Sequence, residues 1–288
     1  MKEKNQSVVS FVVSKVEAGQ PLQVFISLKR SISKRAAKNL LDNRVVWVNR
    51  KCVWMSHHTL HQGDTVEIAT TQQPKVTVAE AAAKIRVLIE DDYYLVADKP
   101  SGVLSVGENS AEEILRLQAQ LPALKAVHRL DRDTTGCLLC AKTAVAFDAA
   151  VSVFKTRHVS KIYQVIVFGR YDRSASTVDQ DLDGERAVSH IQREMVAKDA
   201  SFLKVKIETG RTHQIRRHLA AIRHPVLGDR EHGLKFARDP RLLTIPRQML
   251  HASGLEMPHP MLSGKTLKAH SPLPADFRRC LKLFDMGK

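Results

Sequence analysis

The chain has 288 residues, 43% of them hydrophobic, which is enough for one large or two modest domains and too apolar for overall disorder. Lys and Arg outnumber Asp and Glu by 45 to 30, and the formal net charge of +15 points to a polyanionic partner, most simply nucleic acid. No apolar run approaches the ~20 residues of a membrane-spanning helix, and Ser10 and Lys15 break the opening stretch too early for a signal peptide, so the expectation is a cytoplasmic protein with no membrane partner.

The first region is small and basic. Ser33 can cap a helix starting at Lys34, which places Ala37, Leu40 and Leu41 on one side and Lys34, Arg35 and Lys38 on another. The first face is expected to pack; the second is expected either to meet phosphate or to be a solvated charged face. RVVWVNRKCVWM then holds two short apolar runs parted by Asn49-Arg50-Lys51, a hairpin signal, and HQGDTVEI turns at Gly63-Asp64 into a last strand. His57, His58 and His61 cluster before that strand and read as surface histidines. TTQQP, ending at Pro74, is polar and aperiodic and reads as a linker. The predicted division is a domain over 1–70, a linker over 71–75 and a larger domain over 76–288.

In the larger domain, YYLVADKPSGVLSV runs a short strand, Tyr94 to Ala97, into a turn at Lys99-Pro100-Ser101-Gly102, for which a structural role suffices. VHRLDRDTTGCLLCAK, from Val127 to Lys142, follows. It sets Asp131 at the end of an apolar approach (Val127, Leu130). A tight polar turn, Asp133-Thr134-Thr135-Gly136, leads back into an apolar strand, Cys137 to Ala141. A carboxylate held near a sheet edge by a rigid loop is a placement suited to function. Asp133 reads as a turn cap. Cys137 and Cys140 form a C-x-x-C inside an apolar run, with neither the helix start of a redox pair nor the second pair of a zinc site, and read as buried small hydrophobes.

Thr143 to Phe154 reads as helix. Ser160 to Gly169 reads as strand, with Lys161, Tyr163, Val165 and Val167 on one face. In VKIETGRTHQIRRHLAAIRHPVLGD a strand ends at Thr209-Gly210, Thr212 can cap a helix, and Ile215, Leu219 and Ile222 form its inward stripe. Arg211 sits at the junction, while Arg216, Arg217 and Arg223 read as phosphate contacts or surface charge.

These segments carry a resemblance. HRLDRDTTG resembles the HRLD-x-x-T-[ST]-G signature of pseudouridine synthases of the ribosomal large-subunit (RluA/RluD) type, and KPSG, K-x-Y at Lys161 and Tyr163, TGRTHQIR and RQMLHA follow the order of that family's motifs. The basic first region resembles an S4 RNA-binding domain in its S-x-R helix start (Ser33, Arg35), its V-x-V-N strand and its closing GD-x-V-x-I. The implied fold class is α+β: a small S4-like α/β domain followed by a mixed, mainly antiparallel sheet with flanking helices, the pseudouridine synthase fold.

The resemblance implies isomerisation of uridine to pseudouridine in RNA, with Asp131 as nucleophile, Tyr163 stacking on the target uracil, and Arg211 pairing with the aspartate. The base must flip out of its helix, and Arg129, two residues before Asp131, is placed to fill the gap. Lys34, Arg35, Lys38, Arg44 and Arg216 are the expected RNA contacts. Large-subunit ribosomal RNA is the expected substrate, with transfer RNA second, and the chain is expected to act as a monomer. The reaction neither oxidises nor adds anything, so no cofactor or metal is expected. Two other readings compete. One is a metal-dependent transferase or hydrolase using Asp131-Arg132-Asp133 as a D-x-D site with His128 nearby; the other is a non-catalytic RNA-binding factor.

Overall fold

The computed structural model describes residues 7–42, 46–49, 51–53, 55–70, 85–156, 158–233 and 240–287. They fall into two compact units, Met1–Thr77 and Val78–Lys288. The expected linker over 71–75 and Arg44 lie outside the described residues.

The first unit is a four-stranded antiparallel sheet of β1 (Ser7–Val12), β4 (Thr65–Thr70), β2 (Val46–Val48) and β3 (Lys51–Cys52), in that order, with two helices, Leu22–Lys29 and Lys34–Asp42. The Ser33 hydroxyl accepts from Ala36 N at 3.1 Å, which makes the expected N-terminal cap. Ala37 and Leu41 are buried against Phe25, Ile26 and Ile68, whereas Lys34, Arg35 and Lys38 are exposed. The helix therefore spends its apolar face on the core and leaves its basic face to solvent.

The second unit is built on one ten-stranded sheet. Its main path runs β10 (Ala175–Asp179), β11 (Val188–Val196), β12 (Ala200–Ile207), β9 (Ser160–Phe168), β13 (Leu250–Pro258), β8 (Thr135–Ala141), β6 (Tyr94–Lys99) and β5 (Val87–Glu90), with β7 (Lys125–Ala126) beside β8 and β14 (Thr266–His270) beside β13. Every pairing along it is antiparallel except β8 with β13. Successive β9 residues serve opposite faces, as a period of two requires. Tyr163, Val165 and Val167 pack toward the helix Gln214–Ala221, and Ile166 packs toward the C-terminal helix Ala275–Leu283.

The parallel junction between β8 and β13 positions the site. There Thr135 and Gly136 pair with His251 and Ala252, so β8 begins two residues earlier than its apolar run suggests. Gly136 has φ +110°, and a Cβ there would stand 2.2 Å from the Ala252 carbonyl oxygen, so no other residue fits. Strand β8 is buried along its whole length, and its C-x-x-C residues face opposite ways. Cys137 packs with Tyr94 and Leu255, and Cys140 with Leu95 and Leu115. The two thiols are core residues, as read.

Candidate active site

The loop between His128 and Thr134 enters this junction and is pinned on both sides of Asp131. Before it, Leu130 is buried with Tyr163, Ile215 and Leu250. The Ser105 hydroxyl donates to Leu130 O at 2.9 Å and accepts from Leu130 N at 2.8 Å. After it, the Lys99 ammonium is wholly buried and donates to the carbonyl oxygens of Pro100, Val103 and Arg132 at 2.9, 2.6 and 2.9 Å. Burial pulls the Lys99 pKa down to about 7, against the raising charge of Asp133. Arg247 adds a third anchor, donating to Asp133 O at 3.1 Å while its fork holds Asp276. Thr134 N donates to Asp131 O at 3.1 Å and closes the turn.

The basic partner of Asp131 comes from the helix Gln214–Ala221. Arg216 Nη1 donates to Asp131 Oδ2 at 3.2 Å. Its Nε and Nη2 hold both oxygens of Asp229 at 2.7 and 2.8 Å, and Nη2 also reaches Glu231 at 3.3 Å. The Arg216 side chain is 6% exposed and that of Asp229 is fully enclosed. Burial opposes both charges, yet each stays ionised: hydrogen bonds and charge from Arg216 hold Asp229 below the usual carboxylate range, and Asp229 with Asp131 raises Arg216. Gly228, at φ +73°, makes the turn that delivers Asp229; a Cβ there would stand 2.0 Å from Arg247 O.

Gln248 completes the surroundings of the carboxylate. Its amide donates to Asp131 Oδ2 at 3.4 Å and to the Thr134 hydroxyl at 2.8 Å. Tyr163 lies beneath, 9% exposed; burial, then the negative charge of Asp131, raises its phenol, which stays protonated at neutral pH. Asp131, Tyr163, Arg129, Arg211, His213 and Arg216 all line one cleft of about 70 Å³, with Arg129 exposed at its rim.

The structure brings Asp131, Tyr163, Arg129, Arg211 and Arg216 into one cleft but pairs two of the arginines differently from the sequence reading. Arg211 does not pair with Asp131: its Nη1 holds Glu185 at 2.9 Å and its Nε donates to Arg186 O. The pairing belongs to Arg216, read from sequence as a phosphate contact or surface charge. The cause is the helix start. Thr212 is exposed and does not cap; instead Gln214 Oε1 accepts from Arg211 N and from the Thr209 hydroxyl. His213 takes the N-terminal position at φ +52°. Arg211 is thus turned toward the 183–186 loop, while Arg216 points inward beside Ile215. Asp229 makes that burial tolerable and was not singled out from sequence, nor was Gln248; the LGD and RQML segments that carry them were quoted without roles. His128 proves structural: its Nε2 accepts from Leu139 N, its ring stacks on Phe154 at 5.3 Å, and burial lowers its pKa to about 4. Arg217 pairs with exposed Asp183.

With the geometry in hand, relatives give it context. Residues 93–221 match the family described as RNA pseudouridylate synthase. The chain is 33% identical over 255 residues to the ribosomal large subunit pseudouridine synthase D of Pseudomonas aeruginosa, across 78% of this chain and 79% of the relative. It is 30% identical over 314 residues to the ribosomal large subunit pseudouridine synthase C of Yersinia pestis, across 98% and 97%. Among solved structures, human RNA pseudouridylate synthase domain containing 4 aligns with a TM-score of 0.59 at 23% identity, over 69% of this chain and 92% of that one. Human RNA pseudouridylate synthase domain containing 1 aligns with a TM-score of 0.57 at 24% identity, over 68% and 87%. At such identities these two structures speak for the fold alone.

Proposed function

Because the chain belongs to the RNA pseudouridylate synthase family, and is therefore an isomerase acting on RNA, we propose that it converts uridine to pseudouridine in large-subunit ribosomal RNA, with Asp131 as nucleophile. The observation that carries this is the carboxylate of Asp131, fixed by its pinned loop and faced at 3.2 Å by a buried arginine, at the mouth of a cleft floored by Tyr163.

The reaction breaks the C1′–N1 bond of the uridine, turns the base, forms a C1′–C5 bond and releases the C5 proton. Its atoms balance without an oxidant or an added group. Asp131 supplies the nucleophile that carries the sugar or the base between the two bonds. Arg216 offsets the carboxylate's charge in a half-enclosed site and sets its orientation. Tyr163, held as a phenol, offers a ring face to the uracil and a hydroxyl able to exchange a proton with it. Arg129, exposed at the rim, fills the place of the flipped uridine, whose extrusion costs a few kcal/mol. Lys34, Arg35 and Lys38 on the first unit supply S4-like phosphate contacts that raise affinity without choosing the base. Ribosomal RNA is favoured over transfer RNA as substrate by the names of the relatives that span most of this chain.

The test is tritium release from C5-labelled uridine in unmodified large-subunit ribosomal RNA, with transfer RNA alongside. Wild type is expected to release tritium from the ribosomal RNA, and Asp131→Asn to bind the same RNA and release none. Full activity in Asp131→Asn would remove the nucleophile; tight binding without release by wild type would leave a binding factor.

A further inference from the structure

Beside the cleft, three side chains with metal-ligating atoms converge on one point. His213 Nδ1 lies 3.0 Å from His232 Nε2 and 3.4 Å from Glu231 Oε2, and His232 Nε2 lies 3.7 Å from Glu231 Oε1. Zinc holds such nitrogens and oxygens at about 2.0–2.2 Å in a tetrahedron, which sets its ligand atoms about 3.3–3.6 Å apart. Among the described residues this is the group of three His, Cys, Asp or Glu side chains that meets so closely.

The backbone presents these groups firmly. His213 stands at the left-handed start of the helix Gln214–Ala221. The amides of Glu231 and His232 both donate to Asp229 Oδ1, at 2.9 and 3.1 Å, so the loop that carries them is tied to the same buried carboxylate that holds Arg216. The side chains of His213 and His232 are 24% exposed and that of Glu231 60%, so solvent has access.

We propose that His213, Glu231 and His232 form a binding site for a divalent transition metal of the zinc class, and that its occupation inhibits the enzyme. Two imidazoles and one carboxylate suit zinc and its neighbours better than magnesium or calcium, which prefer all-oxygen sites. Three protein ligands leave a coordination position open.

Inhibition follows from the second nitrogen of His213. Its Nε2 lies 3.8 Å from Asp131 Oδ1. Coordination through Nδ1 leaves the ring proton on Nε2, and a ligating histidine characteristically donates that N–H to a neighbouring carboxylate. A small closing movement makes Asp131 the acceptor. Coordination also draws Glu231 away from Arg216 Nη2, now 3.3 Å distant, and leaves the guanidinium to Asp229 and Asp131 alone. The nucleophile is then tied from both sides.

The binding step is independent of the isomerase reading; the inhibition rests on it. Calorimetric titration of the full chain with Zn²⁺, with visible absorption of Co²⁺ reporting coordination, is expected to give one site per chain, weakened at least tenfold in both His232→Gln and His232→Ala. Absence of binding to wild type, or equal binding by the variants, would overturn the site. In the tritium-release assay, saturating Zn²⁺ is expected to slow wild type at least fivefold, reversibly with chelator, and to leave His232→Gln unaffected. Zinc bound at this site with the wild-type rate unchanged would overturn the inhibitory role. Should wild type release no tritium even without metal, the isomerase reading fails while the titration still decides the site.

Discussion

Replacing Asp229 with asparagine removes one charge from the centre of the arginine web while keeping its shape. Two hydrogen bonds, at 2.7 and 2.8 Å, join the buried Arg216 fork to this carboxylate, whose side chain is fully enclosed. Breaking a buried pair by removing one charged partner costs about 3–5 kcal/mol. Asparagine retains one acceptor oxygen, which can keep one bond to the fork, so the expected loss is at the lower end, about 3 kcal/mol. Activity should fall further than stability alone requires. The fork fixes the direction of Nη1, and a displacement of about 1 Å from the productive geometry costs on the order of 100-fold in rate. The expected result is a drop in kcat of about 10- to 100-fold with little change in KM, measured by tritium release, since Asp229 does not line the cleft.

The pH dependence supplies an independent check. The folded-state pKa of Asp229 is depressed, so its contribution to stability is fully present above its unfolded value of about 3.9 and is lost as pH falls through the lower folded value. Wild type should therefore lose stability on acidification below about pH 4 more steeply than Asp229→Asn, read by thermal melting across that window. A variant with wild-type melting temperature and wild-type rate at neutral pH would refute the claim that Asp229 positions Arg216; an unchanged acid slope would refute the charge on Asp229.

The two arginines of the TGRTHQIR segment separate cleanly. Arg211→Ala removes a partly exposed ion pair with Glu185 and should change stability by no more than about 1 kcal/mol, whereas Arg216→Ala should lower kcat at least 100-fold; a larger catalytic loss in Arg211→Ala would restore the reading made from sequence. Lys99→Met leaves the carbonyls of Pro100 and Val103 without their ammonium donor and loosens the loop behind Asp131, so urea denaturation should show a loss of about 2–4 kcal/mol, with a slower reaction in the protein that still folds. Gly136→Ala sets a Cβ 2.2 Å from Ala252 O at φ +110° and should cost more than about 4 kcal/mol; a melting temperature within a few degrees of wild type would show that the β8–β13 junction can part.

What the sequence made legible was local. The helix at Lys34 with its Ser33 cap, the helix after Thr143 and the strand carrying Tyr163 each have a period or a capping residue, and the structure places each of them there. The pinned turn that carries Asp131 was legible because its loop has both a turn signature and apolar flanks. Arg216 was not, because an arginine beside an inward stripe reads as solvent-facing until its partner is known, and that partner, Asp229, lies 13 residues on across a turn. Gln248 is 117 residues from the carboxylate it touches. Lys99 looked like one more residue of a tight turn, yet the ring of carbonyls that buries it draws on Arg132, 33 residues away. Contacts of this kind are set by the sheet order, above all by the single parallel pairing in an otherwise antiparallel path, and no period in the chain encodes that.

The charge of the cleft poses a problem that the whole chain resolves. Arg216 is shared by three carboxylates, Asp131, Asp229 and Glu231, so the cluster of these four side chains carries more negative than positive charge. Of these acids Glu231, 60% exposed, is the one open to solvent and would repel a phosphate that came near it. The formal charge of +15 acts over longer range and draws an RNA strand in, while Arg129 and Arg211 supply positive charge in the cleft itself. Attraction thus falls to basic residues outside this cluster, and its acids serve to position Arg216 beside Asp131. Added salt should then weaken RNA binding steeply while leaving the rate at saturating RNA nearly constant, because the Asp131–Arg216 contact is largely buried and little screened. A rate at saturation that fell in parallel with affinity would place the steering charges inside the catalytic cluster rather than around it.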